Sequence, residues 1–168
     1  NLQEVERLRR VRDGGGCRGV VRMLGVKELP TFLVVAVERC RGDLSDAIYQ
    51  RYLDIANKRS PRRDGPLSSL ENKRKVVLQV VDGISCLHQR GIVHTDLKPE
   101  NILLCEEGDS GNTVAKITDL GYLTDGGTFR YQPPESINRP RWKAYCAKKE
   151  DEACTDYIRY LESQNSPH

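Results

Sequence analysis

The chain has 168 residues, 38% of them apolar and 30% charged, enough to bury one sizeable core beneath a water-facing surface. A net charge of only +3 excludes strong electrostatic attraction to nucleic acid or an anionic membrane, so neither is expected as a partner. No apolar run approaches the ~18 residues of a membrane span, and no secretory leader is read at the start.

In chain order, Leu2, Val5, Leu8 and Val11 form an apolar stripe at near-helical spacing, with Glu4, Glu6, Arg7, Arg9 and Arg10 on the other faces. The glycine-rich run Gly14-Gly15-Gly16-Cys17-Arg18-Gly19 follows that helical stretch. A phosphate cradle needs backbone amides held between paired strands, and no alternating strands flank this run, so it reads as a connector. Val20 to Val26 reads as a strand and Lys27 to Thr31 as a turn. Phe32-Leu33-Val34-Val35-Ala36-Val37, half of it β-branched and without charge, reads as a buried strand. In Glu38-Arg39-Cys40-Arg41-Gly42-Asp43-Leu44, Gly-Asp before an apolar stretch is a helix start signal, with Asp43 as N-cap. Asp54 to Asn72 is the softest interior segment: Arg59-Ser60-Pro61-Arg62-Arg63-Asp64-Gly65-Pro66 is a loop with solvated cations. Val76, Val77, Val80, Val81, Ile84 and Leu87 then mark a long buried helix, ended by Gly91.

The most informative stretch follows. His94-Thr95-Asp96-Leu97-Lys98-Pro99-Glu100-Asn101 puts an amine two residues and an amide five residues after a carboxylate, just before the apolar run Ile102-Leu103-Leu104. Ile117-Thr118-Asp119-Leu120-Gly121 then reads as a short apolar strand ending in Asp-Leu-Gly, and Gly127-Thr128-Phe129-Arg130-Tyr131-Gln132-Pro133-Pro134-Glu135 closes the series. The first motif resembles the catalytic loop H-x-D-x-K-x-x-N of protein kinases, the second their D-F-G element and the third their G-T-x-x-Y-x-x-P-E segment. Pro133 stands where that family usually has Ala. The chain therefore resembles a eukaryotic-type protein kinase of the serine/threonine type over nearly its whole length.

That resemblance implies an α+β, protein-kinase-like fold, ATP and Mg²⁺ as cofactors, and protein substrates carrying Ser or Thr. It implies Asp96 as the base that takes the hydroxyl proton and Lys98 as the cation that steadies the γ-phosphate. Asn101 and Asp119 are implied as metal ligands. The backbone of Glu38 and Cys40 would grip adenine, Val37 would control the back of that pocket, and Leu103 would pack beneath the base. Asp43 is a candidate for the ribose hydroxyls as well as an N-cap. Thr128 lies in the substrate-facing turn. Glu4, with Leu8 four residues on, matches the helix-C Glu that pairs with a strand Lys, with Glu6 as the competing choice and a solvated surface carboxylate as the plain alternative. His94 is implied to pack and hydrogen-bond rather than act as a base.

The matching segments divide the chain into a remaining N-lobe at 1–37, a hinge at 38–44, and a partial C-lobe at 45–168 with the catalytic and activation segments. Nothing here fits the family's Gly-rich loop or its strand Lys, and the later C-lobe helices are not read after Glu135. The isolated chain is accordingly expected to lack phosphoryl transfer. A pseudokinase or regulatory binding module is the alternative. Thr95 replaces the Arg that reads an activation-loop phosphate in many kinases, which argues against switching by loop phosphorylation. The H-T-D variant also occurs in LAMMER-type kinases and in secreted rhoptry-type kinases of parasites. Six cysteines, Cys17, Cys40, Cys86, Cys105, Cys146 and Cys154, show no C-x-x-C spacing. They are expected to be reduced in an intracellular protein of the cytoplasm or nucleus, with Cys86 and Cys105 as buried thiols. Pairing of Cys146 with Cys154 is the alternative in a secreted protein.

Overall fold

Helix α1 (Leu2–Asp13) turns Val5, Leu8 and Val11 into the core, as their spacing predicts, while Leu2 at its first turn stays 75% exposed. The structure, a computed structural model, describes residues 2–59, 65–107, 112–121, 128 and 131. The chain divides into two units, Asn1–Leu123 and Thr124–His168, and every element below belongs to the first. Within the second, the Tyr131 amide donates to the Thr128 carbonyl at 2.9 Å, closing one turn. The expectations that rest on Pro133, Cys146 and Cys154 lie outside the described residues.

After α1 the connector turns through Gly15 and Gly16, both at positive φ, which glycine adopts without steric cost. Strand β1 (Met23–Glu28) pairs antiparallel with β2 (Leu33–Val37), joined by a tight turn in which the Leu29 amide donates to the Phe32 carbonyl. The strand expected at Val20 starts later and runs further. Gly19 to Val21 are captured by β5 (Asn112–Ile117) instead: Val21 donates to the Ile117 carbonyl and Ile117 to that of Gly19, each at 2.8 Å. β2 is not buried as its composition suggests. Phe32, Val34 and Val37 are 60%, 43% and 39% exposed, because β1 and β2 form a sheet of only two strands. An uninterrupted apolar run carries no alternation that would tell one covered face from two.

The second sheet has the order β3-β4-β5, all antiparallel, built from β3 (Cys40–Asp43), β4 (Ile102–Glu107) and β5. Asp43 closes β3 and caps helix α2 (Leu44–Ala56), its Oδ1 accepting the Asp46 amide at 2.8 Å. Helix α3 (Leu70–His88) is capped by Ser69 and buries only a narrow face, chiefly Val76, Gly83 and Leu87. Val77 and Val81, read as core positions, are 60% and 53% exposed. What fixes α3 on the sheet is a contact between glycines. A Cβ on Gly83 would lie 2.4 Å from the Gly19 carbonyl oxygen, and one on Gly19 would lie 2.7 Å from Gly83 Cα. The core beneath gathers Leu8, Val11, Val20, Leu87, Ile92, Ile117 and Leu120.

The cysteines correct the sequence reading. Cys17 bonds to Cys86 and Cys40 to Cys105, and no described cysteine is free. The partners are 69 and 65 residues apart, so no local spacing announces them. Folding brings the connector onto α3, and β3 onto β4. Helices with small antiparallel sheets are the α+β arrangement expected. Among the described residues no helix is long and apolar enough to cross a membrane.

Candidate active site

The segment after α3 turns at Gly91 (φ +66) and buries Ile92, delivering His94 into the core beside β5. His94 is 5% exposed, with Nε2 2.8 Å from the Thr118 carbonyl and Nδ1 3.3 Å from the Asp96 amide. A carbonyl can only accept and an amide can only donate, so Nε2 carries the proton and Nδ1 the lone pair. The ring is thus a neutral brace between two chain segments, in keeping with its expected structural role.

Asp96 is 6% exposed. Asn101 Nδ2 donates to its main-chain oxygen at 2.9 Å and lies 3.4 Å from its Oδ2. Lys98 Nζ stands 2.7 Å from the same Oδ2, with the two side chains 21% and 5% exposed. Pro99 opens a short 3-10 turn, Pro99–Asn101, closed by the Asn101 amide on the Lys98 carbonyl at 2.9 Å. Proline suits a first helical position because it has no amide to leave unsatisfied. This turn holds Asn101 back over Asp96. The hydrogen bond to Asp96 raises the Lys98 pKa above its ordinary value, so the ammonium stays charged.

Asp119 enters from the end of β5. The Thr118 amide donates to the Asn101 carbonyl at 3.0 Å, which ties the residue before Asp119 to the catalytic loop. Asp119 itself adopts φ +57, and Leu120 beyond it is fully buried. The Asp119 carboxylate is exposed, and its charge is felt at Lys98 and at Glu4. Glu4 is raised above its ordinary carboxyl pKa first by burial and then by Asp119. Among the described residues no lysine meets Glu4, and the acid faces the Asp119 side of the site instead.

The expected nucleotide contacts are dispersed over the link between β2 and β3, β3 itself and β4. Glu38 Oε1 accepts the Arg22 amide at 2.8 Å and pairs with Lys116 Nζ at 2.7 Å, while the Glu38 amide donates to the Arg22 carbonyl at 2.9 Å. Its side chain and amide are therefore structural, and its carbonyl is the group left to consider for adenine. Cys40 is held by its bond to Cys105, and Asp43 sits directly across the ladder from half-buried Leu103. Thr128 belongs to the second unit.

Sequence reasoning missed two side chains. Lys116 neutralises Glu38 from β5, and nothing local links the pair. Arg7, read only as a cation on the polar face of α1, donates through Nη1 to the Leu120 carbonyl at 2.8 Å and the Gly121 carbonyl at 3.3 Å. Its position on the half-buried border of the stripe, one residue before Leu8, was the sole hint.

The buried acid–amine–amide loop ahead of β4, with Asp119 following β5, is the arrangement expected of a protein kinase domain, and comparison with known proteins agrees. The protein kinase domain family matches residues 1–151. The chain is 31% identical over 159 residues to the serine/threonine-protein kinase ksp1 of Schizosaccharomyces pombe, covering 89% of this chain and 31% of that protein. It is 37% identical over 143 residues to the serine/threonine-protein kinase/endoribonuclease IRE1 of Oryza sativa, covering 73% and 15%. It is also 30% identical over 131 residues to the serine/threonine-protein kinase dkf-1 of Caenorhabditis elegans, covering 72% and 16%. The chain belongs to the protein kinase family. It spans less than a third of the length of these relatives.

Proposed function

We propose that this domain transfers the γ-phosphoryl group of ATP to Ser or Thr hydroxyls of protein substrates, with Asp96 as the base. The observation that carries the reading is the buried cluster in which Asn101 and Lys98 both hold Asp96, Lys98 at 2.7 Å. A carboxylate held at Oδ2 by Lys98, on a backbone pinned by Asn101, can take a hydroxyl proton without first reorganising. Lys98, kept cationic, is positioned to leave Asp96 for the oxygens of an arriving phosphate, where developing charge needs a counter-charge.

The residues present fit Mg²⁺. Asn101 turns Nδ2 toward Asp96, which leaves Oδ1 on the other side of the amide, and the Asp119 carboxylate is exposed. Hard oxygen donors without thiolate or imidazole are the set this ion prefers. Asn101 and Asp119 would hold it, and when bound it supplies neutralising charge at the phosphates. Adenine would lie between the Glu38–Cys40 backbone and Leu103, with Asp43 near the ribose, Thr128 toward the protein substrate, and Glu4 as the helix-C ion-pair residue. Retention of the base, the amine and both metal donors disfavours a binding module without transfer.

The two disulfides support residence in an oxidising compartment rather than the cytoplasm or nucleus, where thiol pools keep cysteines reduced. The direct test of the activity is transfer of radiolabelled phosphate from ATP by the full-length protein, beside Asp96→Ala. Loss of the base should lower turnover by ~10²–10⁴ and leave nucleotide affinity nearly unchanged. Equal turnover in both proteins would remove Asp96 from the mechanism.

A further inference from the structure

Asp119 holds φ +57, in the left-handed region that costs a non-glycine residue ~1–3 kcal/mol, toward the low end for Asp. The backbone around it is gripped from several directions. Upstream, the Thr118 carbonyl is taken by His94 and the Thr118 amide by the Asn101 carbonyl. Downstream, the carbonyls of Leu120 and Gly121 are both taken by one guanidinium nitrogen, Arg7 Nη1, which also lies 3.5 Å from the Val93 carbonyl. Arg7 sits on α1 between Val5 and Leu8, whose side chains are locked in the core, so its reach is set by a packed helix. Hydrogen bonds from a charged donor are about twice as strong as neutral ones.

We propose that Arg7 is a positioning residue for the metal-binding carboxylate. From α1 its guanidinium grips the two backbone carbonyls that follow Asp119 and thereby holds Asp119 in its left-handed conformation. This rests on the reading of Asp119 as a metal ligand, and it makes the placement of α1 a determinant of metal binding. The device uses no phosphate.

The test uses the full-length protein with Arg7→Met, Arg7→Lys and Asp119→Asn. One readout is the Mg²⁺ dependence of binding a fluorescent ATP analogue. The other is hydrogen exchange across residues 118–121 in the ligand-free protein. Arg7→Met should raise the Mg²⁺ concentration for half-maximal binding roughly tenfold, the equivalent of one lost charged hydrogen bond. Binding at saturating Mg²⁺ should be unchanged, and exchange across 118–121 should quicken. Arg7→Lys should recover part of the Mg²⁺ affinity, because an ammonium reaches a carbonyl but lacks the planar fork. An unchanged Mg²⁺ midpoint in Arg7→Met overturns the role of Arg7, and so does a loss of binding that is equal at every Mg²⁺ concentration. If Asp119→Asn leaves the Mg²⁺ dependence intact, or the unaltered protein shows none, the metal-site reading beneath the proposal falls.

Discussion

Replacing Cys17 and Cys86 together by serine removes the covalent link between the connector after α1 and the last turns of α3. The bridge closes a loop of 69 residues, for which the chain-entropy relation gives about 4.4 kcal/mol at 25 °C. The Cys40–Cys105 bridge overlaps it in sequence, so in the unfolded chain the shortest path from Cys17 to Cys86 through that second link is only about 40 residues. The dependence is logarithmic, and the shorter path still gives about 4 kcal/mol. The folded state loses little else, since Arg90 keeps the carbonyls of Gly14, Gly16 and Cys86 as acceptors. A loss of ~4 kcal/mol is a large share of the ~5–15 kcal/mol typical of a domain. Urea unfolding of both proteins without reductant, followed by circular dichroism, measures it. The variant should also show a steeper denaturant slope, because its unfolded chain is less compact. Stability within ~1 kcal/mol of the parent, together with four titratable thiols at these positions in the parent, would refute the reasoning.

Three further outcomes follow from the same geometry. Gly83→Ala, which in an open helix would gain up to ~1 kcal/mol, should instead destabilise by ~1–3 kcal/mol because its methyl meets the Gly19 carbonyl at 2.4 Å; a thermal midpoint at or above the parent's counts against the close approach. Glu4→Gln should stabilise the ligand-free protein more at pH 7 than at pH 4. The raised pKa means that the folded state holds this proton more tightly, a contribution complete below about 4.5 and lost as pH rises through the folded value, so melting curves at the two pH values should differ in that order. Finally, with Thr95 in place of a phosphate-reading Arg, activity should not require phosphate on Thr124 or Thr128, and phosphatase treatment checked by mass spectrometry should leave turnover unchanged.

What the sequence disclosed was what is encoded locally. The clustering of Asp96, Lys98 and Asn101 could be read because one short turn sets all three, and α1 because Val5, Leu8 and Val11 recur with the helix period. The Asp43 cap was legible for the same reason, being a bond between residues three apart. Long-range features were not. Neither disulfide has a spacing signature across more than sixty residues, so nothing local distinguishes these paired cysteines from the reduced thiols expected. The glycine contact between Gly19 and Gly83 needs both segments in view, since Gly83 alone is only a weak point in a helix. The exposure of Val34, Val37, Val77 and Val81 was misread because apolar character reports a tendency to be buried and not the presence of a partner to bury against.

Among the described residues, two of the three non-glycine positions at positive φ fall at or beside the proposed functional carboxylates, the other being Lys58. Thr95 (+64) immediately precedes Asp96, and the second is Asp119 itself. Thr95 is β-branched, for which this region is a true outlier, and its Oγ1 is buried without a hydrogen-bond partner. Its backbone is held because the residues on both sides cannot move: His94 is fixed in the core and Asp96 is held by Asn101 and Lys98. Relaxing Thr95 to ordinary φ would rotate the Asp96 amide off His94 Nδ1 and carry the carboxylate away from Lys98. Asp119 depends on the same imidazole through Thr118, from the opposite ring nitrogen. One imidazole therefore braces both the Asp96 amide and the segment that leads into Asp119, the base and the metal ligand proposed above.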